Sequence, residues 1–219
     1  MSSSWRLEYG KWIYNWWGFS SIAYRILMFF VLGGKEETLR DEAVKALSLS
    51  PGDTALDLCC GNGSNLQYLE SHVGPQGRIL ALDYSEGMLK AAQETASKRS
   101  WKNIEFHQGD AAEKFYDPNS LDGAICTLAL TAVPNHTQAI EQIRTGLKPG
   151  KKFVVMDSKG FDGLLSIFNP IIRLIFLLLT NWDSHKDIVG ELKRTFGRDN
   201  VRTVGLYNSG STYIVEANT

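Results

Sequence analysis

The sequence predicts an α/β fold: a parallel sheet with helices on both faces. Three observations predict it. Apolar runs of strand length alternate with helical patterns along most of the chain. The stretch Asp57-Leu58-Cys59-Cys60-Gly61-Asn62-Gly63 closes one such run and opens a helix. A glycine turn at that junction lets the backbone approach a ligand closely. Asp83, twenty residues after Gly63, ends a second apolar run. An acid at a strand tip accepts hydrogen bonds from ribose hydroxyls. Together these features place a nucleoside-type ligand at the top of the sheet.

The elements follow in order. A helix is expected over 36–47, stopped by the turn Ser50-Pro51-Gly52-Asp53. The first strand is Thr54-Ala55-Leu56-Asp57-Leu58, and Leu66–Val73 is the helix after the glycine turn. Arg78-Ile79-Leu80-Ala81-Leu82 is the second strand, and Ser85 caps a helix over 86–98. Ile104-Glu105-Phe106 and Leu121-Asp122-Gly123-Ala124-Ile125-Cys126 are strands three and four. A helix over 138–146 ends at Gly146, and the fifth strand runs over 153–156. Strands over 201–207 and 212–217 are joined by Asn208-Ser209-Gly210-Ser211, a connection short enough to make the pair antiparallel.

Bulk properties fit one α/β unit of 219 residues. The net charge of −1 gives no basic surface for nucleic acid, and none is expected as a partner. Three cysteines, two of them adjacent, make no disulfide framework and point to a reducing, cytoplasmic compartment. The N-terminal residues lack the pattern of a signal peptide.

The glycine turn discriminates between nucleoside ligands. A dinucleotide fingerprint has a third glycine where this chain has Leu66. The chain instead resembles the class I S-adenosylmethionine-dependent methyltransferases from about Leu39 to its C-terminus. Asp57 matches the acidic start of that family's motif, and Gly61 and Gly63 match its last two glycines; Cys59 stands at the first glycine position. Asp83 matches the ribose-binding acid, and Gly109-Asp110-Ala111 the segment facing the adenine amine. Leu147-Lys148-Pro149-Gly150 matches the turn into the fifth strand. The resemblance implies a Rossmann-like, seven-stranded sheet, mostly parallel with a reversed last strand. It also implies S-adenosyl-L-methionine as cofactor. Cofactor contacts are expected from Asp57, Cys59, Gly61, Gly63, Asn65, Asp83, Tyr84, Met88, Gly109, Asp110, Ala111 and Thr127. Within the family the layout looks most like phospholipid or betaine-lipid N-methyltransferases, and it also resembles quinone methyltransferases.

Two apolar segments lie outside the shared core. Residues 1–35 carry Trp5, Tyr9, Trp12, Tyr14, Trp16, Trp17, Phe19, Tyr24, Phe29 and Phe30. An insertion over 161–183 separates the fifth and sixth strands. Arg25 and Gly33-Gly34 limit the first apolar run, and Asn169, Pro170 and Arg173 interrupt the second. Neither run therefore reaches the roughly 18 residues of a membrane span. One reading makes both segments lid helices over the cofactor. The other makes them a pocket open to the inner membrane face, for a lipid or lipophilic acceptor.

The catalytic expectation is modest, because a sulfonium methyl is already activated and alignment supplies much of the rate. His136, in the loop after strand four, is the candidate proton acceptor; the bland alternative is that it starts the next helix. Tyr14, on the N-terminal segment, matches the tyrosine of a Tyr-Asp element that closes over the cofactor in the family, with Asn15 in place of the acid. Asp157 either meets a cationic acceptor or caps a loop. The cysteines show no zinc spacing, and no metal is expected. Three functions stay open: methyl transfer to a lipophilic acceptor with a phospholipid-type amine favoured, methyl transfer to a soluble molecule or thiol, and cofactor binding without turnover. Aminocarboxypropyl transfer is also compatible with the fold.

Overall fold

Side chains that alternate along the central strands build two apolar layers, one on each face of a sheet. The computed structural model describes residues 3–161 and 163–219. On β4 (Leu121–Thr127), Ala124 and Cys126 face one layer and Ile125 the other. On β5 (Leu147–Ser158), Phe153 and Val155 face the first layer, and Val154 and Met156 the second. That period of two, buried on both sides, marks strands sandwiched between helices.

The remaining strands are β1 (Thr54–Leu58), β2 (Arg78–Asp83), β3 (Ile104–Gln108), β6 (Val201–Tyr207) and β7 (Thr212–Asn218). The seven form one sheet in the order β3-β2-β1-β4-β5-β7-β6. β7 runs antiparallel to both neighbours, so it is the one reversed strand. Helices α3 (Glu36–Ala46), α4 (Leu66–Val73) and α5 (Glu86–Lys98) cover one face through Leu39, Leu66, Leu89 and their neighbours. Helices α6 (His136–Gly146) and α8 (Ile188–Phe196) cover the other through Ile140, Ile143 and Leu192.

The expected elements appear with shifted ends. The sixth helix starts at His136 rather than 138. The fifth strand is longer than 153–156 because Leu147 pairs with Leu121 before an irregularity, after which Lys152 pairs with Gly123.

The two apolar segments are helical. Residues 1–35 contribute α1 (Ser3–Phe19) and α2 (Ser21–Val31). The insertion forms a 3-10 turn over Gly163–Phe168 and then α7 (Asn169–Thr180). One expectation needs correcting. The turn and α7 together make an 18-residue stretch, Gly163–Thr180, that is long and apolar enough to cross a membrane by length and composition. Asn169, Pro170 and Arg173 do not break it, because Pro170 sits in the first turn of α7, where a missing N–H costs nothing. The regular helix covers only 12 residues, about 18 Å at 1.5 Å per residue, against a hydrocarbon core of about 30 Å.

Helix α1 is clamped to both neighbours. The Tyr14 hydroxyl donates to the Thr180 carbonyl at 2.9 Å, and Trp17 Nε1 donates to the Leu179 carbonyl at 2.7 Å. On the other side α1 crosses α5 with Gly18 against Gly87: a Cβ on Gly18 would lie 2.3 Å from the Gly87 carbonyl carbon. Ile13, Trp17 and Met88 form a small core of their own at this crossing.

Candidate active site

A cleft opens at the carboxyl ends of β1, β2 and β4, beneath α1. The turn after β1 shapes its floor. Gly61 and Gly63 both have left-handed backbone, with φ of 55° and 80°. A Cβ on Gly63 would lie 2.7 Å from Leu66 Cδ1 and 3.1 Å from the Ala92 Cβ, so the turn packs directly onto α4 and α5. Cys59 shares the left-handed region, with φ of 55°, although it carries a side chain. This backbone is why its position suits glycine.

Asp83 is buried and organises the turn. One oxygen accepts the Gly61 N–H at 2.8 Å and the other accepts the Ser85 N–H at 2.9 Å. A carboxylate has about four lone-pair sites, so each oxygen keeps capacity for a ligand hydroxyl. Burial pushes its pKa up to about 6, against the backbone bonds from Ser85, Gly61 and Tyr84, which lower it. Asp110 accepts the Ala112 N–H through Oδ1 at 2.9 Å, and its segment lines the far wall with Gly109 and Ala111.

A buried polar network lies under the glycine turn. Asn65 donates to Asp57 Oδ1 at 2.8 Å. Arg40 donates to Asn65 Oδ1 at 2.8 Å, to Thr127 Oγ1 at 2.7 Å, and to Glu36 Oε1 at 2.9 Å. Asp57 Oδ2 is buried and has no hydrogen-bond partner. Burial pushes the Asp57 pKa up to about 7, with Asn65 and Arg40 holding it lower than burial alone would. An unpartnered buried carboxylate oxygen is costly, and its charge favours a cation bound on the cleft side of the turn.

The expected cofactor residues divide in two. Cys59, Gly61, Asp83, Tyr84, Met88, Gly109, Asp110, Ala111 and Thr127 line the cleft, as does Tyr14. Asp57, Gly63 and Asn65 stand behind it, shaping the turn and its network. His136 is outside the lining residues; it is the first residue of α6, half-buried, with Nδ1 buried and unpartnered. Burial, and then the Lys186 ammonium, lower its pKa, while the nearby Pro134 backbone works against them.

Other residues of the site carry no local signal in the sequence. Arg40, Arg6 and Asn181 owe their places to long-range contacts: Arg6 pairs with Asp183 and donates to the Asn181 carbonyl at 2.8 Å, and Asn181 Nδ2 donates to the Arg6 carbonyl at 3.0 Å. Asn15, in place of an acid, fastens α1 over the start of α5. Its Oδ1 accepts from Ser85 Oγ at 2.8 Å and from the Gly87 N–H at 3.1 Å. Burial raises the Cys126 thiol well above its usual pKa, and the neighbouring Cys59 adds to the rise. Among the described residues no cluster of His, Cys, Asp or Glu is arranged to hold a metal.

A second cavity adjoins the cleft. Tyr14, Tyr24 and Leu128 line both. The second is apolar, with Leu27, Met28, Phe30, Ile172, Phe176 and Trp182 in its walls, and its empty volume, counting solvent at the mouth, is about 1020 Å³. Asp157 lines it but is occupied: Oδ2 accepts the Thr131 N–H at 3.1 Å, and Oδ1 accepts Thr131 Oγ1 at 2.9 Å and the Ser158 N–H at 2.8 Å.

The profile of the methyltransferase domain family matches residues 49–186, well over half of the chain. This chain belongs to that family. The chain is thus of the class I, S-adenosylmethionine-dependent methyltransferase family. It is 34% identical over 166 residues to a demethylmenaquinone methyltransferase of Desulfitobacterium hafniense, covering 72% of this chain and 66% of that one. A Listeria monocytogenes protein of the same name is 30% identical over 138 residues, 62% of this chain and 58% of its own. The chain thus spans about three-fifths of the length of the curated relatives it matches. Among solved structures, a SAM-dependent methyltransferase of Aquifex aeolicus superposes with a TM-score of 0.61 at 20% identity, over 81% of this chain and 88% of that one. A likeness at that identity shows the shared fold.

The residues fit the cofactor. Asp83 has free lone pairs that would suit ribose hydroxyls, Asp110 has a free oxygen that would suit an adenine amine, and Asp57, behind the glycine turn, would add negative charge that favours an ammonium in the cleft. Met88 and Ala111 line the cleft with apolar surface that would suit the base.

Proposed function

We propose that this chain transfers a methyl group to a lipophilic, membrane-resident acceptor, a ring of the demethylmenaquinone kind. One observation carries the reading: the cofactor cleft and a large apolar cavity share a wall of Tyr14, Tyr24 and Leu128. A ligand in one cavity therefore lies beside a ligand in the other. The bound cofactor supplies an electrophilic methyl on its sulfonium. The chain's own part is to align the acceptor and keep water out, which can supply roughly 7–11 kcal/mol of the barrier. The 30–34% identity to demethylmenaquinone methyltransferases supports a quinol-type acceptor.

A quinol carbon gains nucleophilicity when a hydroxyl ionises, so a nearby proton acceptor assists. His136 lines neither cavity but stands two residues after Pro134, which lines the cleft, and burial lowers its pKa toward the neutral, proton-accepting form. Tyr14 serves as a wall and a tie rather than as a base, since burial raises its pKa well above the usual phenol value. A phospholipid amine is a poorer fit. Asp157 is the one acid lining the apolar cavity among the described residues, and three hydrogen bonds already take most of its about four lone-pair sites.

The test is product analysis with methyl-labelled cofactor and three acceptors: reduced demethylmenaquinone, phosphatidylethanolamine vesicles and a soluble metabolite extract. The proposal expects label in the quinone fraction. Label in phosphatidylethanolamine would return the amine headgroup to first place. Label confined to the soluble extract would overturn a lipophilic acceptor.

A further inference from the structure

The outer surface of α1, α2, the 3-10 turn and α7 is apolar and unusually open. Phe19, Ile22, Phe30, Leu164, Ile167 and Ile171 are each more than 60% exposed. No residue of α7 or of the turn before it is buried. Contiguous apolar surface on this scale marks a partner surface.

Two features identify the partner. The first is charge. Lys11, Arg25 and Lys35 project from α1, α2 and the turn after α2, and the one acid on these two helices, Glu8, is paired with Lys11. Arg173 lies partly exposed on α7, with its Nε buried and without a hydrogen-bond partner. A basic fringe on an apolar face, in a chain of net charge −1, complements anionic lipid headgroups. The second is continuity. Phe30 belongs both to the exposed face and to the wall of the apolar cavity, and Ile172 and Phe176 line the same cavity from α7. The cavity mouth therefore lies within the apolar face, between α2 and α7. Exposed Trp12 and Trp16 sit on α1, where a bilayer interface would satisfy both ring and N–H.

We propose that this face lies in the interface of an anionic bilayer, and that the acceptor passes sideways from the lipid into the cavity between α2 and α7. The inference rests on the lipophilic-acceptor reading, but the docking surface can be tested apart from it. The chain would lie along the membrane and not cross it, because α7 is tied to α1 along its last turn.

The experiment is co-sedimentation of the full chain with vesicles of phosphatidylcholine alone, or of phosphatidylcholine and phosphatidylglycerol in equal parts. Binding is expected on the anionic vesicles, weaker on the neutral ones, and reduced by salt. The double variant Phe19→Glu/Ile22→Glu changes two exposed side chains that line neither cavity, so cofactor binding by calorimetry should be unchanged while vesicle affinity falls about tenfold or more. Its methyl transfer should fall on vesicle-embedded acceptor and persist on the same acceptor in detergent. Brominated acyl chains should quench Trp12 and Trp16 fluorescence in the wild type. Wild-type protein that stays in the supernatant overturns the proposal, and a dimer in light scattering would then identify a second copy as the cover. Equal sedimentation of wild type and variant also overturns it. Vesicle binding with no methyl transfer to any lipophilic acceptor would instead sink the acceptor reading and leave the docking surface standing.

Discussion

At the residue scale, the site is a set of buried carboxylates awaiting partners. Burial holds Asp57 up near 7 and Asp83 near 6, while unfolded both titrate near about 4. Between those values the folded chain keeps protons that the unfolded chain has lost. Stability of the ligand-free protein from these groups is therefore highest below about pH 4, falls as pH rises to about 7, and is level above that. A ligand that donates to Asp83 and holds a cation in the cleft near Asp57 favours the ionised forms. Cofactor affinity should thus rise with pH through the same window, with proton release on binding near pH 6. Calorimetry in two buffers of different ionisation heat reads that release directly. Asp83→Asn should weaken binding and flatten part of the pH dependence; affinity unchanged between about pH 5.5 and 8 in the wild type would refute the assignment. Asp57, Gly61, Gly63 and Asp83 were legible in sequence because each occupies a fixed step of a local strand-turn-helix unit. Arg40 was not: nothing in its own neighbourhood says that a helical arginine will be 5% exposed and bonded to Asn65 and Thr127.

At the element scale, α1 is the decisive piece, since it roofs the cleft and walls the apolar cavity. Its position depends on the bare crossing of Gly18 over Gly87 and on the Asn15 bonds to Ser85 and Gly87. Gly18→Ala would place a methyl 2.3 Å from the Gly87 carbonyl carbon, and backbone there cannot swing away as a side chain would. We expect a loss of about 1–3 kcal/mol of stability, and a larger effect on acceptor KM than on the fold of the sheet, because α1 must lift. Chemical denaturation and steady-state kinetics check it; wild-type stability together with wild-type KM would show that α1 does not sit as described. The strand and helix order was legible because the apolar period of the core strands is local. The packing partner of α1 was not, because its aromatic residues occur around the helix: Trp12 and Trp16 face out, and Ile13 and Trp17 face in. The ends of β5 were also obscured, since the strand resumes pairing only after the Pro149-Gly150 turn.

At the scale of the whole molecule, sheet, lid and insertion converge on one ligand. The turn after β1, the tips of β2 and β4, and helix α1 all line the cleft, and the Arg6 contacts to Asn181 and Asp183 close the ring through the insertion. Parts so separate in sequence are coupled only through the folded state, so a ligand touching them all binds the native chain and not the unfolded one. Such binding stabilises by mass action: at about 100 times Kd the gain is about 2.7 kcal/mol. For a domain of this length that corresponds to a rise in Tm of roughly 5–11 °C. S-adenosylmethionine should give that shift in a thermal scan, whereas NAD should give little, because Leu66 replaces the third glycine of a dinucleotide turn. An equal or larger shift with NAD would contradict the cofactor chemistry read from Gly61, Gly63 and Asp83. A shift with S-adenosylmethionine that survives Asp83→Ala undiminished would place the ligand elsewhere on the molecule.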